Sequence, residues 1–194
     1  MASVGPRPDK SSDVGRHVRN LVPVNAPDRT LLLLRHAKSD YPDGWGPGAD
    51  HDRPLAPRGI REAALAGDWI RANAPAVDLV LCSTATRTRQ TLARTGIDAD
   101  VRYEDALYDS SPGTVIRLVN GVLEDVATLL VVGHEPTMSM TAVGLADLDR
   151  SDAEALERIS LKYPTSSIAV LRTPHPWREL ELRTADLVGF EVPR

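Results

Sequence analysis

The chain has 194 residues, enough for one domain with a sizeable core and short for two. Apolar residues make up 42% and charged residues 26%, ordinary for a soluble globular fold, while aromatics are only 4%, so Leu, Val, Ile and Ala must fill the core. A net charge of -4 argues against binding along a nucleic-acid backbone, one cysteine excludes an intramolecular disulfide and a thiolate metal cage, and no apolar run approaches the ~18 residues a membrane span needs.

Residues 1–28 are rich in Pro, Gly, Ser and Asn, carry Arg7, Lys10, Arg16 and Arg19, and show no sustained periodicity. They read as a flexible extension ahead of a single domain over 29–194. The start has no continuous apolar stretch of the secretory type, so a cytoplasmic protein is the simplest expectation. "RTLLLL" (29–34) is a short continuous apolar run, the pattern of a strand buried on both faces. It runs straight into Arg35-His36. "YPDGWGPGADH" (41–51) reads as a Gly- and Pro-rich loop around Trp45.

Residues 58–73 carry Ile60, Ala64, Leu65, Trp69 and Ile70 near helical spacing. "VDLVLCS" (77–83) is a second buried strand. "TATRTRQTLART" (84–95) is a helix, with Ser83 as cap and Gly96 as stop. Ser111-Pro112 opens another helix, reaching about Leu123. "ATLLVVGH" (127–134) is a third buried strand, followed by a helix from Pro136 to Leu145. Ser151 caps a short helix over "DAEALERI". "SSIAVLRT" (166–173) and "WRELELRTAD" (177–186) are late strands whose short connection predicts an antiparallel pair.

This alternation predicts an α/β fold: a three-layer sandwich with a mostly parallel central sheet and helices on both faces. Ligands of such sheets bind beyond the carboxyl ends of the strands. Strand one ends in Arg35-His36, strand two in Cys82-Ser83 with Arg87 one turn into the next helix, and strand three in Gly133-His134. Singly, each has a plainer explanation. A histidine after a strand is usually a surface residue, Arg35 could lay its stem along the strand end, and Arg87 could be a solvated helix arginine like Arg89 and Arg94. Jointly they bring two arginines and two histidines to one sheet edge, a pocket for a tetrahedral oxyanion.

Arg35-His36 after a leucine-rich strand, "STATRTRQT" (83–91) and Gly133-His134 resemble the histidine phosphatase superfamily, also called phosphoglycerate-mutase-like. "RHAKSD" (35–40) and "HDRPLAPRGIREA" (51–63) are similar to the opening motifs of its SixA-related phosphohistidine phosphatases. Thr84 stands where the family commonly has a proline. The resemblance implies a phosphoglycerate-mutase-like fold and a covalent mechanism with no metal and no cofactor. His36 would attack phosphorus, and Arg35, Arg87 and His134 would hold the phosphoryl oxygens. The physics agrees: a nucleophilic imidazole must be neutral, and neighbouring cations keep it so. A loose phosphoryl transition state needs mostly positioning and cationic stabilisation.

The family often carries a Leu-x-Glu acid for the leaving group. Leu107-Tyr108-Asp109 matches that spacing with Asp109, while Glu104 and Asp105 compete and Asp109 could equally be a turn residue before Pro112. Lys38, Ser39, Arg53 and Trp45 are candidate substrate-binding residues, with Asp52-Arg53-Pro54-Leu55 read mainly as a buttress for the loop after strand one. The expected activity is phosphohistidine phosphatase, acting on a phosphorylated protein. The alternative is a small-molecule phosphomonoesterase or phosphoglycerate mutase acting on a phosphorylated metabolite. A phosphate-recognition scaffold is the non-enzyme alternative. Metal-dependent hydrolysis through His36, His51, Asp52 and His134 lacks a His-x-x-x-His or carboxylate cluster. No nucleic-acid or membrane partner is expected, and the oligomeric state stays open.

Overall fold

The computed structural model describes Met1, residues 28–41, residue 46 and residues 49–194. Trp45 and nearly all of the expected N-terminal extension, residues 1–28, lie outside the described residues. Six strands form one sheet: β1 (Arg29–Arg35), β2 (Leu79–Ser83), β3 (Asp100–Glu104), β4 (Thr128–Gly133), β5 (Ile168–Thr173) and β6 (Asp186–Glu191), in the order β3-β2-β4-β1-β5-β6. The β3-β2-β4-β1 half is parallel, and β5 is antiparallel to both β1 and β6.

Both faces are covered, which is why the central strands are apolar throughout. Leu31 and Leu33 pack into one core with Val115 and Val119 of α3 (Pro112–Asn120), Met138 and Leu145 of α4 (Thr137–Leu145), and Ile159 of α5 (Ala153–Leu161). Leu32 and Leu34 face the other way, toward Ala66 and Ile70 of α1 (Pro57–Asn73) and Leu92 of α2 (Thr86–Thr95). Alternation along one strand therefore feeds two cores, and the expected three-layer α/β sandwich is the fold.

Several local expectations need correction. β3 had no apolar run to announce it, because it is a largely exposed edge strand paired only to β2. The last strand is not 177–186 but β6, and a 3-10 turn, Trp177–Glu179, occupies the start of the expected segment. The Trp177 indole is fully buried and donates to the Val126 carbonyl at 2.7 Å, while Arg183 takes a left-handed φ of 63°. Both break an extended run, so in "ELELR" Leu180 is buried in the core while Leu182 is exposed. In α1, Ile60 and Leu65 are exposed, and the buried face is Gly59, Glu62, Ala63, Ala66, Gly67 and Ile70. Small residues are required there. A Cβ on Gly59 would lie 2.0 Å from the Lys38 carbonyl oxygen, and one on Gly67 1.9 Å from that of Thr95.

Caps show the same mixture. Gly96 ends α2 with φ 63°, and the Ser111 hydroxyl accepts from the Thr114 amide at the start of α3, which stops at Asn120. Asp152 rather than Ser151 caps α5. Ser83 does not cap α2, whose N-cap is Ala85; its hydroxyl is used elsewhere.

Candidate active site

Register builds the centre of the site. Arg35 pairs with Gly133 across the parallel β1–β4 ladder, and the His36 amide donates to the Gly133 carbonyl at 3.0 Å. His36 and His134 therefore leave adjacent strands together, with ring centroids 5.2 Å apart. His36 Nδ1 lies 2.8 Å from the Ala37 carbonyl oxygen. A carbonyl only accepts, so Nδ1 carries the hydrogen and Nε2 keeps its lone pair. Burial lowers the His36 pKa to about 3; the Ala37 carbonyl opposes this, and His134, Arg87 and Arg35 add to it. The ring is a neutral imidazole at physiological pH.

His134 is also neutral, its pKa lowered to about 4 by burial first and by Arg87 next. Its Nε2 lies 2.9 Å from the Ser83 hydroxyl, while its buried Nδ1 has no hydrogen-bond partner among the described residues. Ser83 Oγ also accepts from the Ala85 amide at 3.4 Å and keeps a second lone pair and its hydrogen for the contact with His134. With Ser83 donating to Nε2 the ring hydrogen of His134 sits on Nδ1 as an unused donor, and with Nε2 donating to Ser83 it leaves Nδ1 an unused acceptor. Arg35 donates through Nη1 to the Tyr163 carbonyl at 2.5 Å, and its buried Nε is likewise unpartnered. The segment around Tyr163 holds this strand end in place. The Tyr163 hydroxyl bonds the Leu33 carbonyl at 2.7 Å, and the Ser166 amide reaches the carbonyls of Arg35 and His36.

Arg87 comes from the first turn of α2. Thr91, one turn on, donates to the Arg87 carbonyl at 2.6 Å and accepts the Ala37 amide at 2.9 Å, tying α2 to the segment that carries His36. Arg87 Nη1 donates to the Asp50 carbonyl at 2.6 Å and Nη2 to the Asp50 carboxylate at 3.1 Å. The same carboxylate accepts from Arg53 Nη1 at 2.9 Å and from the Tyr108 hydroxyl at 2.8 Å. The Arg53 hydrogen bond above all holds the Asp50 carboxyl down at about 2; burial opposes it, and the Tyr108 hydrogen bond and the charges of Arg87 and Arg53 add to it. Tyr108 stands edge-on to both His51 (4.9 Å) and His134 (5.5 Å).

Asp50 and Tyr108 carry no signal as site residues in the sequence, and His51 enters there only through the metal-dependent alternative. Asp50 lies in the loop read over 41–51, just ahead of the Asp52-Arg53-Pro54-Leu55 buttress, and Tyr108 is the middle residue of a triplet whose signal is its carboxylate. Of the expected substrate contacts, Lys38 is exposed. Ser39 and Arg53 are buried against each other, with Arg53 Nη2 donating to Ser39 Oγ at 2.5 Å and Nε to the Asp40 carbonyl at 3.0 Å. Every nitrogen of Arg53 is thus committed to the loop. Asp109 is an exposed turn residue with φ 50°, without a hydrogen bond into the cluster among the described residues. Cys82 is fully buried and its thiol is pushed up to about 12, chiefly by burial, which makes it a core residue. Among the described residues, no three His, Cys, Asp or Glu side chains are grouped as a metal site.

Comparison with known proteins agrees with this arrangement. The sequence profile of the histidine phosphatase superfamily (branch 1) matches residues 31–120. A solved structure from Nakamurella multipartitia, provisionally assigned as the phosphohistidine phosphatase SixA, is 42% identical, covers 87% of this chain and 98% of that one, and superposes with a TM-score of 0.78. A similarly assigned structure from Agrobacterium tumefaciens is 29% identical over 85% of this chain and 99% of that one, with a TM-score of 0.66. An uncharacterized protein of Mycobacterium tuberculosis (strain H37Rv) is 65% identical over 161 residues, 83% of this chain and the whole of that protein. The chain belongs to the histidine phosphatase superfamily and is a phosphatase. Within that superfamily it falls in the SixA-like branch.

Proposed function

We propose that this protein is a metal-independent phosphohistidine phosphatase working through a covalent intermediate on His36. The observation that carries the reading is a neutral, buried imidazole with a free Nε2, beside two buried nitrogens without partners among the described residues, Arg35 Nε, which is a donor, and His134 Nδ1, which is one when Ser83 donates to Nε2. Buried donors left unpaired are costly unless a ligand satisfies them, and a phosphoryl group supplies the matching acceptors. The His36 Nε2 lone pair forms the new P–N bond while the bond from phosphorus to the leaving group breaks. The leaving group takes up a proton. Water then attacks phosphorus, the P–N bond to His36 breaks, and inorganic phosphate leaves. Arg35 and Arg87 supply the cationic stabilisation that this charge-rich transition state requires.

The substrate reading follows from acid chemistry. An alkoxide needs a proton donor to depart, whereas the imidazole of a phosphoramidate departs more easily. Asp105 and Asp109 are exposed. Asp50, which pairs with Arg53 and Arg87, is held ionised, and Glu135, the acid whose charge acts on Arg35, accepts from the Ser139 hydroxyl. Asp109 would have to turn inward to serve as the acid. A pocket poor in acids and rich in cations favours the phosphoramidate, and the relatives assigned as SixA support the same choice.

The test is an activity panel of a phosphohistidine peptide, p-nitrophenyl phosphate and 3-phosphoglycerate, each with and without EDTA. The phosphohistidine peptide should show the highest kcat/KM, unaffected by EDTA. Preference for 3-phosphoglycerate would establish the small-molecule alternative, and loss of activity in EDTA would sink the metal-free scheme.

A further inference from the structure

Three elements converge on one carboxylate that the reaction scheme leaves without a task. Asp50 lies in the 3-10 turn Asp50–Asp52, Arg87 in α2, and Tyr108 just past the 3-10 turn Asp105–Leu107. Arg53, three residues on, occupies Oδ1 of Asp50, while Arg87 Nη2 and the Tyr108 hydroxyl share Oδ2. The Asp50 carbonyl takes Arg87 Nη1 as well.

A guanidinium has two edges that can grip an anion in a bidentate manner, Nη1–Nη2 and Nε–Nη2. Residue 50 fills the first edge of Arg87 completely. Arg87 Nε has no hydrogen bond among the described residues. The arginine is therefore held at its far end, with its second edge left for a ligand. The Tyr108 ring is fixed through the same oxygen, face to edge with His134, and Arg87 lies over it at 5.6 Å from its centroid.

We propose that Asp50 is a positioning residue of the phosphoryl pocket, orienting Arg87 so that its Nε–Nη2 edge meets the phosphoryl oxygens and fixing Tyr108 as the wall beside His134. The proposal rests on the phosphatase reading above. It has a clear rival on electrostatic grounds: Asp50 could be an internal anion competing with the substrate for Arg87. The two ideas predict opposite signs. A competitor, once neutralised, leaves a tighter oxyanion site; a positioning residue, once neutralised, leaves a looser one.

The experiment compares wild type with Asp50→Asn, Asp50→Glu, Tyr108→Phe and Asp52→Asn, measuring orthovanadate inhibition, kcat and KM on a phosphohistidine peptide, and thermal melting. Asp50→Asn should weaken vanadate inhibition and lower kcat/KM by about 10- to 100-fold, mostly through KM, as expected for a misoriented anion ligand. Asp50→Glu should recover part of the loss. Tyr108→Phe breaks only one link and should cost less, with the double variant no worse than Asp50→Asn alone. Asp52→Asn removes the neighbouring charge from a side chain that is 73% exposed and should stay within about twofold of wild type. Tighter vanadate binding in Asp50→Asn, or unchanged kcat/KM, would overturn the proposal. So would an equal effect of Asp52→Asn, which would reduce the result to net charge. A wild type without turnover, or indifferent to His36→Ala, would instead condemn the phosphatase reading itself. The Asp50 side chain is 47% exposed, so its substitution is compatible with folding, and Tyr108→Phe gives an independent measure should Asp50→Asn melt early.

Discussion

The rings of His36 and His134 stand 5.2 Å apart just past the ends of neighbouring parallel strands, both neutral, and among the described residues one has its lone pair free and the other a buried nitrogen unpaired. The pair is asymmetric because their hydrogen bonds differ. The Ala37 carbonyl fixes a hydrogen on Nδ1 of His36, whereas the Ser83 hydroxyl meets Nε2 of His134. In the proposed mechanism His36 attacks, and His134 serves as a donor in the tautomer that takes the Ser83 hydroxyl hydrogen on Nε2. His36→Ala should lower turnover by roughly 1000-fold or more and abolish the acid-labile phosphoenzyme. Rapid-quench labelling with a phosphorylated substrate checks this, and retention of a labelled enzyme in the variant would reassign the nucleophile.

The role of Ser83 is separable from that of His36. Ser83→Ala leaves His134 Nε2 without its partner and frees the ring to exchange its hydrogen between the two nitrogens. The expected outcome is a drop in kcat of about 10-fold, less than the ~100-fold typical of deleting an oxyanion donor outright. The fold should hold, because a methyl replaces a fully buried hydroxymethyl on a central strand. A Ser83→Thr variant that restores activity would tie the effect to the hydroxyl.

The pH dependence of stability follows from the same two rings. Their folded pKa values, about 3 and about 4, lie below the ordinary 6.5. Below pH 6.5 the unfolded chain therefore binds protons that the native state refuses, and stability falls as pH drops from about 6.5 toward 4, by at most about 1.4 kcal/mol per pH unit for each ring. Asp50 acts lower down: its stabilisation is present above pH 3.8 and is lost as pH falls toward about 2. Urea denaturation between pH 4 and 7 should show the decline in wild type, and His36→Asn should flatten it. The acid limb of kcat/KM should likewise lie well below 6.5; a limb centred near 6.5 would contradict the neutral-ring assignment.

How far the site could be read from the sequence depended on where each residue sits. Arg35-His36 and Gly133-His134 terminate strands buried on both faces, whose uninterrupted apolar runs are hard to mistake, so their positions at one sheet edge followed from fold class alone. Arg87 followed from Ser83 and the helix after it. Asp50 and Tyr108 carry no such local signal. Their meeting at 2.8 Å spans 58 residues and depends on how a Gly- and Pro-rich loop and the segment after an edge strand settle against α2. Periodicity failed for a related reason at Ile60 and Leu65: apolar residues mark a buried face only where there is room for them, and α1 lies too close to the Lys38 and Thr95 carbonyls.

That closeness yields the last prediction, at Gly67. Intrinsic propensity favours alanine over glycine inside a helix by about 1 kcal/mol, so Gly67→Ala would ordinarily stabilise α1. Here the new Cβ would sit 1.9 Å from the Thr95 carbonyl oxygen and 2.6 Å from its Cα, both backbone atoms at the end of α2. The same carbonyl accepts a hydrogen bond from Arg71 of α1, so the two helices are tied where they would have to part. No side chain can swing away to make room. The clash therefore outweighs propensity, and the variant should be destabilised by roughly 1–3 kcal/mol, the usual cost of overpacking. Because α2 carries Arg87 and anchors Ala37 through Thr91, displacement of α2 should also lower kcat/KM, whereas the equally helical Ala64→Ser, on the exposed face of α1, should leave both stability and activity close to wild type. Thermal melts of the two variants beside a kinetic assay decide the matter: a Gly67→Ala protein as stable as wild type would mean that α1 and α2 are not in contact at this point.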